Sequence, residues 1–311
     1  MKHWIQAARL RTLPLSVSGI IVGTFYAMSQ AVFNWKIVVF ALTTTLGLQI
    51  LSNFANDYGD GVKGTDNDDR VGPKRAIQSG VITPQTMKRA IIITAVLTLL
   101  SAIVLIYCSF KEQYFLYSVL YLILGISAIA SAIRYTVGNS AYGYLGLGDV
   151  FVFVFFGLVS TMGVYFMFTK AFDWLLLFPA TAIGFLSVAV LNLNNMRDEA
   201  SDRKAGKNTI VVKMGTANAK IYHYFLVITA MILLLVFAYL LDFNFDQYIF
   251  VIAYFPLMTH LLTVYRNKIP RNLDPELKKV ALSTFLLSIL LSLCLIYFIS
   301  DLVVNTFLGG R

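Results

Sequence analysis

Apolar residues fall along this chain in long blocks, not in a stripe or a period-two alternation. Nine blocks approach or reach the roughly 20 residues a helix needs to cross the hydrocarbon core of a bilayer. They lie at about 12–30, 37–56, 87–108, 113–134, 147–169, 174–195, 217–241, 246–265 and 281–304. Backbone in hydrocarbon must satisfy its own hydrogen bonds, and no block alternates as a barrel strand would, so each block predicts a helix. The expected fold class is all-α: one multispanning membrane bundle of nine transmembrane helices over 1–311, with loops rich in acid and base at about 57–86 and 196–216. The first block has the basic start and small-residue end of a signal peptide. With so many spans behind it, it reads as a retained first helix. Gly19 and Gly23 on that helix form a GxxxG suited to close helix packing.

The polar positions between the blocks orient the bundle. With a cytoplasmic N-terminus, every Lys and Arg except Lys36, Lys111, Lys170 and Arg311 falls on the cytoplasmic side. Cytoplasmic loops are the basic ones in membrane proteins, so this asymmetry supports nine spans with the N-terminus inside and the C-terminus outside.

Composition agrees with the pattern. Apolar residues make up 58% of the 311, charged residues 13%, and the net charge is +9. Mean hydropathy is +0.73. A soluble fold has no way to hide that much apolar surface, which excludes an ordinary cytosolic enzyme, a disordered chain and a disulfide scaffold. The excess of base serves the membrane topology, and no nucleic-acid partner is expected. Cys108 and Cys294 sit inside apolar blocks, and His3, His223 and His260 are scattered, so no zinc spacing is present.

Two polar clusters stand out. The second block ends with Gln49, Asn53, Asn56, Asp57 and Asp60, which share one helix face. The sixth ends with Asn195, Asp198 and Asp202, also on one face. The two acidic starts, Asp57 and Asp198, are 141 positions apart, which hints at a four-helix internal repeat. A single Asp at a helix end is ordinarily a cap, but two matched clusters interleaved with Lys and Arg point to chemistry. Mg²⁺ takes oxygen ligands and commonly bridges one or two carboxylates to substrate phosphates. Lys and Arg then neutralise the remaining phosphate charge. The candidate diphosphate-binding residues are Asn56, Lys63, Lys74, Arg75, Arg134, Asn195, Arg203 and Lys207. Gly206-Lys207-Asn208-Thr209 lacks the spacing of a P-loop, and 66–70 lacks the glycine and closing Glu of a calcium loop. Asp149 reads equally as a helix cap and as a site residue.

These residues carry a resemblance. Asn56-Asp57-Tyr-Gly-Asp60 together with Asp198-x-x-x-Asp202 resembles the paired aspartate motifs of the UbiA-type intramembrane prenyltransferases. The stretch from Asn56 through Asp66, then Arg70 through Arg75 and Ser79-Gly80, is most similar to the 1,4-dihydroxy-2-naphthoate polyprenyltransferase branch. Tyr135-Thr136, Gly143 to Asp149, and Arg197 to Thr209 also fit. One departure is Gly64, where many members carry a third acid; here the next acid is Asp66. The resemblance implies Asp57, Asp60, Asp198 and Asp202 as catalytic residues. It implies Asp57, Asp60, Asp66, Asp198 and Asp202 as ligands of Mg²⁺, or Mn²⁺. It implies a polyprenyl diphosphate donor whose tail lies in a groove open to membrane lipid. The acceptor would be 1,4-dihydroxy-2-naphthoate, prenylated with loss of CO₂ in menaquinone biosynthesis, in the cytoplasmic membrane of a bacterium with the site facing the cytoplasm. A 4-hydroxybenzoate or homogentisate acceptor, and beyond the enzymes a secondary transporter, remain open at this point.

Overall fold

The structure, a computed structural model, describes residues 2–66 and 71–308; Asp68, Asp69 and Arg70 lie outside the described residues, as does Arg311. It is all helical there. A short α1 (Lys2–Ala8) leads into α2 (Leu13–Ser29), with a bend of 54° between them. The long helices α3 (Trp35–Val62), α4 (Pro84–Phe110) and α5 (Phe115–Arg134) follow. The next span is composite: α6 (Gly148–Val152), a π-helical segment Phe153–Gly163, and α7 (Val164–Thr169). Then come α8 (Leu177–Lys204), α9 (Ile210–Leu240), α10 (Tyr254–Arg266) and α11 (Asp274–Leu308). Among the described residues eight segments are long and apolar enough to cross a membrane, and the bent α1–α2 pair, taken as one span, makes a ninth. The chain is an integral membrane protein, as the apolar blocks predict.

Helix starts follow local chemistry. Asn34 accepts from the Lys36 amide at 3.0 Å ahead of α3. Thr83 accepts from the Thr86 amide at 3.3 Å ahead of α4, with Pro84 in the first turn where its missing N–H costs nothing. The Thr209 hydroxyl accepts from the Val212 amide at 3.2 Å ahead of α9.

The expected loop boundaries are corrected at both acidic clusters. Residues 57–62 and 196–204 are helix, not loop. Each of α3 and α8 is 28 residues long, or about 42 Å, which exceeds a hydrocarbon core of about 30 Å. The excess carries the acids past the apolar layer while keeping them on a rigid element. Each acid-bearing helix packs along the helix that follows it, α3 along α4 and α8 along α9.

The GxxxG packs as expected. A Cβ at Gly23 would meet the Thr161 carbonyl oxygen at 2.3 Å, and one at Gly19 would collide with Ser160. On the other side of the π-helical segment, Gly157 lies against Ala180 and Gly184 of α8. The widened helix is thus wedged between α2 and α8, and glycine at each crossing lets the backbones touch. By contrast α5 has no buried residue, and it stands at the outside of the bundle as a wall.

A second polar system is sealed inside α8–α11. Nε2 of His223 lies 2.7 Å from Nε2 of His260, and Nδ1 of His260 lies 2.6 Å from Glu276, which also accepts from Lys279 at 2.8 Å. Asn192 faces His223 Nδ1 at 3.4 Å and donates to the Ala219 carbonyl at 3.0 Å.

Candidate active site

Both acidic helices end the same way. After α3, the Thr65 amide donates to the Asp60 carbonyl at 3.0 Å, with Gly64 at φ 72°. After α8, the Lys207 amide donates to the Asp202 carbonyl at 2.8 Å, with Gly206 at φ 69°. This is the Schellman termination, which calls for a left-handed residue just past the helix and so for glycine. Gly64 is therefore a helix stop, which accounts for the absence of an acid there. The stops also set the register of the repeat. Asn53 pairs with Asn195, Asn56 with Asp198, Asp60 with Asp202 and Gly64 with Gly206, each 142 positions apart. The spacing of 141 read from Asp57 and Asp198 is off by one, because Asp57 is not the counterpart of Asp198.

Asp57 is buried and serves the loop. Its two carboxylate oxygens accept from the backbone amides of Ala76 at 3.1 Å and Ile77 at 3.2 Å. That clamp folds the α3–α4 loop back so that Arg75 reaches the acids. The guanidinium donates to Asp60 Oδ2 at 2.8 Å and to the Asn56 carbonyl at 2.8 Å, and it lies 3.2 Å from Asp66. On the other side, the Lys207 ammonium lies 3.6 Å from Asp60 and 3.8 Å from Asp202. Lys207 is thus the bridge between the two halves. Burial works against its charge, but Asp60 and Asp202 outweigh burial and hold its pKa above the usual lysine value. Arg75 is raised in the same way by Asp60 and Asp66.

Asp198 lies against its neighbour Arg197, whose Nε donates to one carboxylate oxygen at 2.9 Å and whose Nη2 donates to the other at 2.6 Å. Arg197 is fully buried and also bonds Asn194, at 2.8 Å, and Asp274 at the start of α11. The second acidic cluster is therefore tied to the last helix.

The remaining expected residues divide. Asn56 lines the site, with its side-chain oxygen accepting from the Thr136 hydroxyl at 3.3 Å, and Asn195 is buried on the site helix. The Lys63 ammonium sits 4.1 Å over the Tyr144 ring at the rim. Lys74 and Arg134 are exposed and stand outside the lining of the cavity under the acids, and Arg203 turns outward to Glu199 at 2.8 Å. Asp149 accepts from the Tyr222 hydroxyl at 3.1 Å in the first turn of α6.

Two tyrosines that the resemblance covered without assigning them a site role complete the mouth. Tyr144 donates to Asp60 Oδ1 at 2.8 Å and shares its hydroxyl with Thr65 at 2.6 Å. Its carbonyl accepts from the Asn208 amide at 3.0 Å, so the 135–148 loop also spans the two halves. Tyr135 lines the site; burial, partly offset by Lys207, pushes its phenol up to about 12, so it stays a neutral donor. The glycines at 143 and 148 wrap this ring, since a Cβ at Gly143 would stand 2.6 Å from the Tyr135 carbonyl. That glycine-rich run was the available signal.

Beneath the charged mouth lies a cavity of about 320 Å³. Asn56, Asp60, Arg75 and Lys207 line its polar end; Leu105, Phe155, Phe156 and Val159 line its apolar depth, with α5 as one wall. The donor set suits a hard divalent cation: carboxylates on two helices, all-oxygen ligands, and a buried Asp202 Oδ2 that has no hydrogen-bond partner. Among the described residues no three acidic or other metal-binding side chains converge as a ready-made cage.

The fold and the site define a membrane-embedded enzyme for a ligand with a strongly anionic head and an apolar tail. The chain belongs to the UbiA prenyltransferase family, whose model matches residues 16–289. It is 44% identical over 289 residues to a 1,4-dihydroxy-2-naphthoate octaprenyltransferase of Escherichia coli, covering 92% of each chain. It is 41% identical over 299 residues to the protein of that name from Haemophilus influenzae, covering 95% of this chain and 96% of the other. Its fold is shared with a UbiA homologue from Archaeoglobus fulgidus bound to DMAPP and Mg²⁺ (TM-score 0.65, 16% identity, 96% and 99% covered). The apo UbiA homologue from Aeropyrum pernix is similar (TM-score 0.66, 14% identity, 93% and 98% covered).

Proposed function

We propose that this chain transfers a polyprenyl group from a polyprenyl diphosphate to 1,4-dihydroxy-2-naphthoate, with loss of CO₂, as a step of menaquinone biosynthesis. The observation that carries the donor is the head-and-tail form of the site: two acidic helix ends joined by Lys207 and Arg75 above an apolar cavity. The acceptor is supported by the name shared by relatives 41–44% identical over most of the chain. The basic mouth then faces the cytoplasm of a bacterium, the N-terminus lies on that side, and the bundle sits in the cytoplasmic membrane.

Asp60, Asp66, Asp198 and Asp202 would hold Mg²⁺, with Asp57 supporting them through the loop. When bound, the metal supplies charge neutralisation for the leaving diphosphate. Lys207 and Arg75 do the same from the protein, with donors fixed before substrate arrives. Tyr144 and Tyr135 offer neutral hydroxyls at the same mouth. The allylic C–O bond breaks with its electron pair leaving on the diphosphate. A carbon of the electron-rich ring bonds the allylic carbon, and the pair of the departing CO₂ stays with the ring. The apolar depth keeps water from the cationic carbon.

The test is competition. Purified protein, Mg²⁺, one polyprenyl diphosphate, and equal 1,4-dihydroxy-2-naphthoate and 4-hydroxybenzoate are incubated, and the lipid products are weighed by mass spectrometry. The expected product is a prenylated naphthoquinol that has lost CO₂. Prenylated hydroxybenzoate as the main product overturns the acceptor.

A further inference from the structure

Beyond the cavity under the acids lies a second, mostly apolar one of about 440 Å³, lined by Tyr117, Leu120, Leu158, Met162, Phe166 and Phe172 among others, with Lys170 as the one charged residue in its wall. The two share Tyr121, Leu124, Val159 and Gly163 as lining, so they abut. Tyr121 stands at that boundary. Its hydroxyl donates to the Gly163 carbonyl at 2.8 Å, joining α5 to the last residue of the π-helical segment. Its ring is seated against Phe110 at 4.9 Å and stacks on Phe166 at 6.1 Å with an interplanar angle of 11°. α5 is otherwise unburied, and its main partners are α3 and α4. Tyr121 is thus a crossbar over the passage.

Capacity shows what the crossbar must do. At roughly 10–15 Å³ of this volume for a water-sized group, the first cavity takes on the order of twenty to thirty carbons. An octaprenyl chain, with about forty, is longer. A tail held by its diphosphate at Lys207 and Arg75 fills the first cavity with its first isoprene units and meets Tyr121 with the rest. The second cavity continues the path and is lined almost entirely by apolar side chains, so its occupant is the distal part of the same chain.

We propose that Tyr121 is a specificity-determining residue that separates short from long prenyl donors: short tails end before it, and long tails must displace it to reach the second cavity. This rests on the donor reading above. A tail that displaces Tyr121 breaks the hydroxyl–Gly163 bond and gains the apolar surface beyond it.

The experiment compares wild type, Tyr121→Ala and Tyr121→Trp with geranyl diphosphate and with octaprenyl diphosphate, in lipid vesicles, reading products by mass. Turnover of the geranyl donor serves as the control for folding and for the charged mouth. Tyr121→Trp is expected to lower the octaprenyl-to-geranyl ratio of kcat/KM about tenfold or more, a scale typical of bulk in an apolar pocket. Tyr121→Ala is expected to move the octaprenyl-to-geranyl ratio the opposite way. Equal effects on the two donors, or none on either, overturn the assignment of Tyr121. Absence of prenylated product from wild type with both donors would instead overturn the donor reading.

Discussion

Lys207 and Asp57 show how much one buried charge can organise. Lys207 stands between Asp60 and Asp202, so Lys207→Met leaves two buried carboxylates without their shared cation. A charge-assisted contact is worth about 1.5–3 kcal/mol, so the KM for the diphosphate should rise roughly ten- to a hundredfold while that for the acceptor stays put. Steady-state kinetics with each substrate varied in turn decides this. The pH sign follows from the raised pKa. A lysine whose folded pKa exceeds its unfolded one stabilises fully below the unfolded value and loses that only as pH rises through the folded value. The melting-temperature gap between wild type and Lys207→Met should therefore be flat from neutral pH to about 9 and narrow only above the ordinary lysine range. Asp57 predicts a different signature from its neighbours. Asp57→Asn keeps one acceptor for two amides, loosens Arg75, and should weaken diphosphate use without moving the Mg²⁺ concentration for half-maximal rate. Asp202→Asn should move that midpoint. A shifted midpoint in Asp57→Asn would return Asp57 to the metal. Sequence alone ranks these residues poorly. Lys74, Arg134 and Arg203 look like Lys207 in a string of letters, because basic loops serve topology and phosphate with the same residue types. Only the turn at Gly206, which folds Lys207 back over Asp202, separates them.

Among elements, the tightest crossing is that of α2 with the π-helical segment. Gly23→Ala sets a methyl 2.3 Å from a backbone oxygen that has nowhere to go, and should cost about 1–3 kcal/mol. Gly125→Ala on α5 meets nothing nearer than 3.8 Å and should be neutral or better, which makes it the control in a thermal-stability comparison. The polar chain through His223, His260 and Glu276 joins α9, α10 and α11. His260→Ala leaves buried partners unsatisfied, for about 1–3 kcal/mol, and its lowered melting point should not be matched by Lys268→Ala at the surface. The spans were legible as elements because hydropathy over some 20 residues is a strong signal. Their ends were not. The shared face of Asn53, Asn56 and Asp60 signals that the helix persists past the apolar layer, but hydropathy does not mark its end; Gly59 and Gly61 let it run on by fitting against Thr136 and Ile77. The π-helical stretch left no mark in the sequence either, since its residues are the same apolar types as any buried span.

At the scale of the whole molecule, the two acid-bearing helices α3 and α8 are offset by 142 residues, and their acids meet at one end of the bundle under Lys207. Reporter fusions near Lys74 and Lys204 should report the cytoplasm and those at Lys111 and Lys170 the exterior; a cytoplasmic signal at Lys170 would break the topology. The outer wall formed by α5 has a last consequence. A cavity fenced from the bilayer by one helix with no buried residue is expected to draw its long-tailed donor from the lipid phase, and the quantity expected to set its rate is moles of donor per mole of lipid. Adding empty lipid to a fixed amount of enzyme and donor should slow turnover in proportion, while adding buffer should not. For this protein, concentration is a property of the membrane's area.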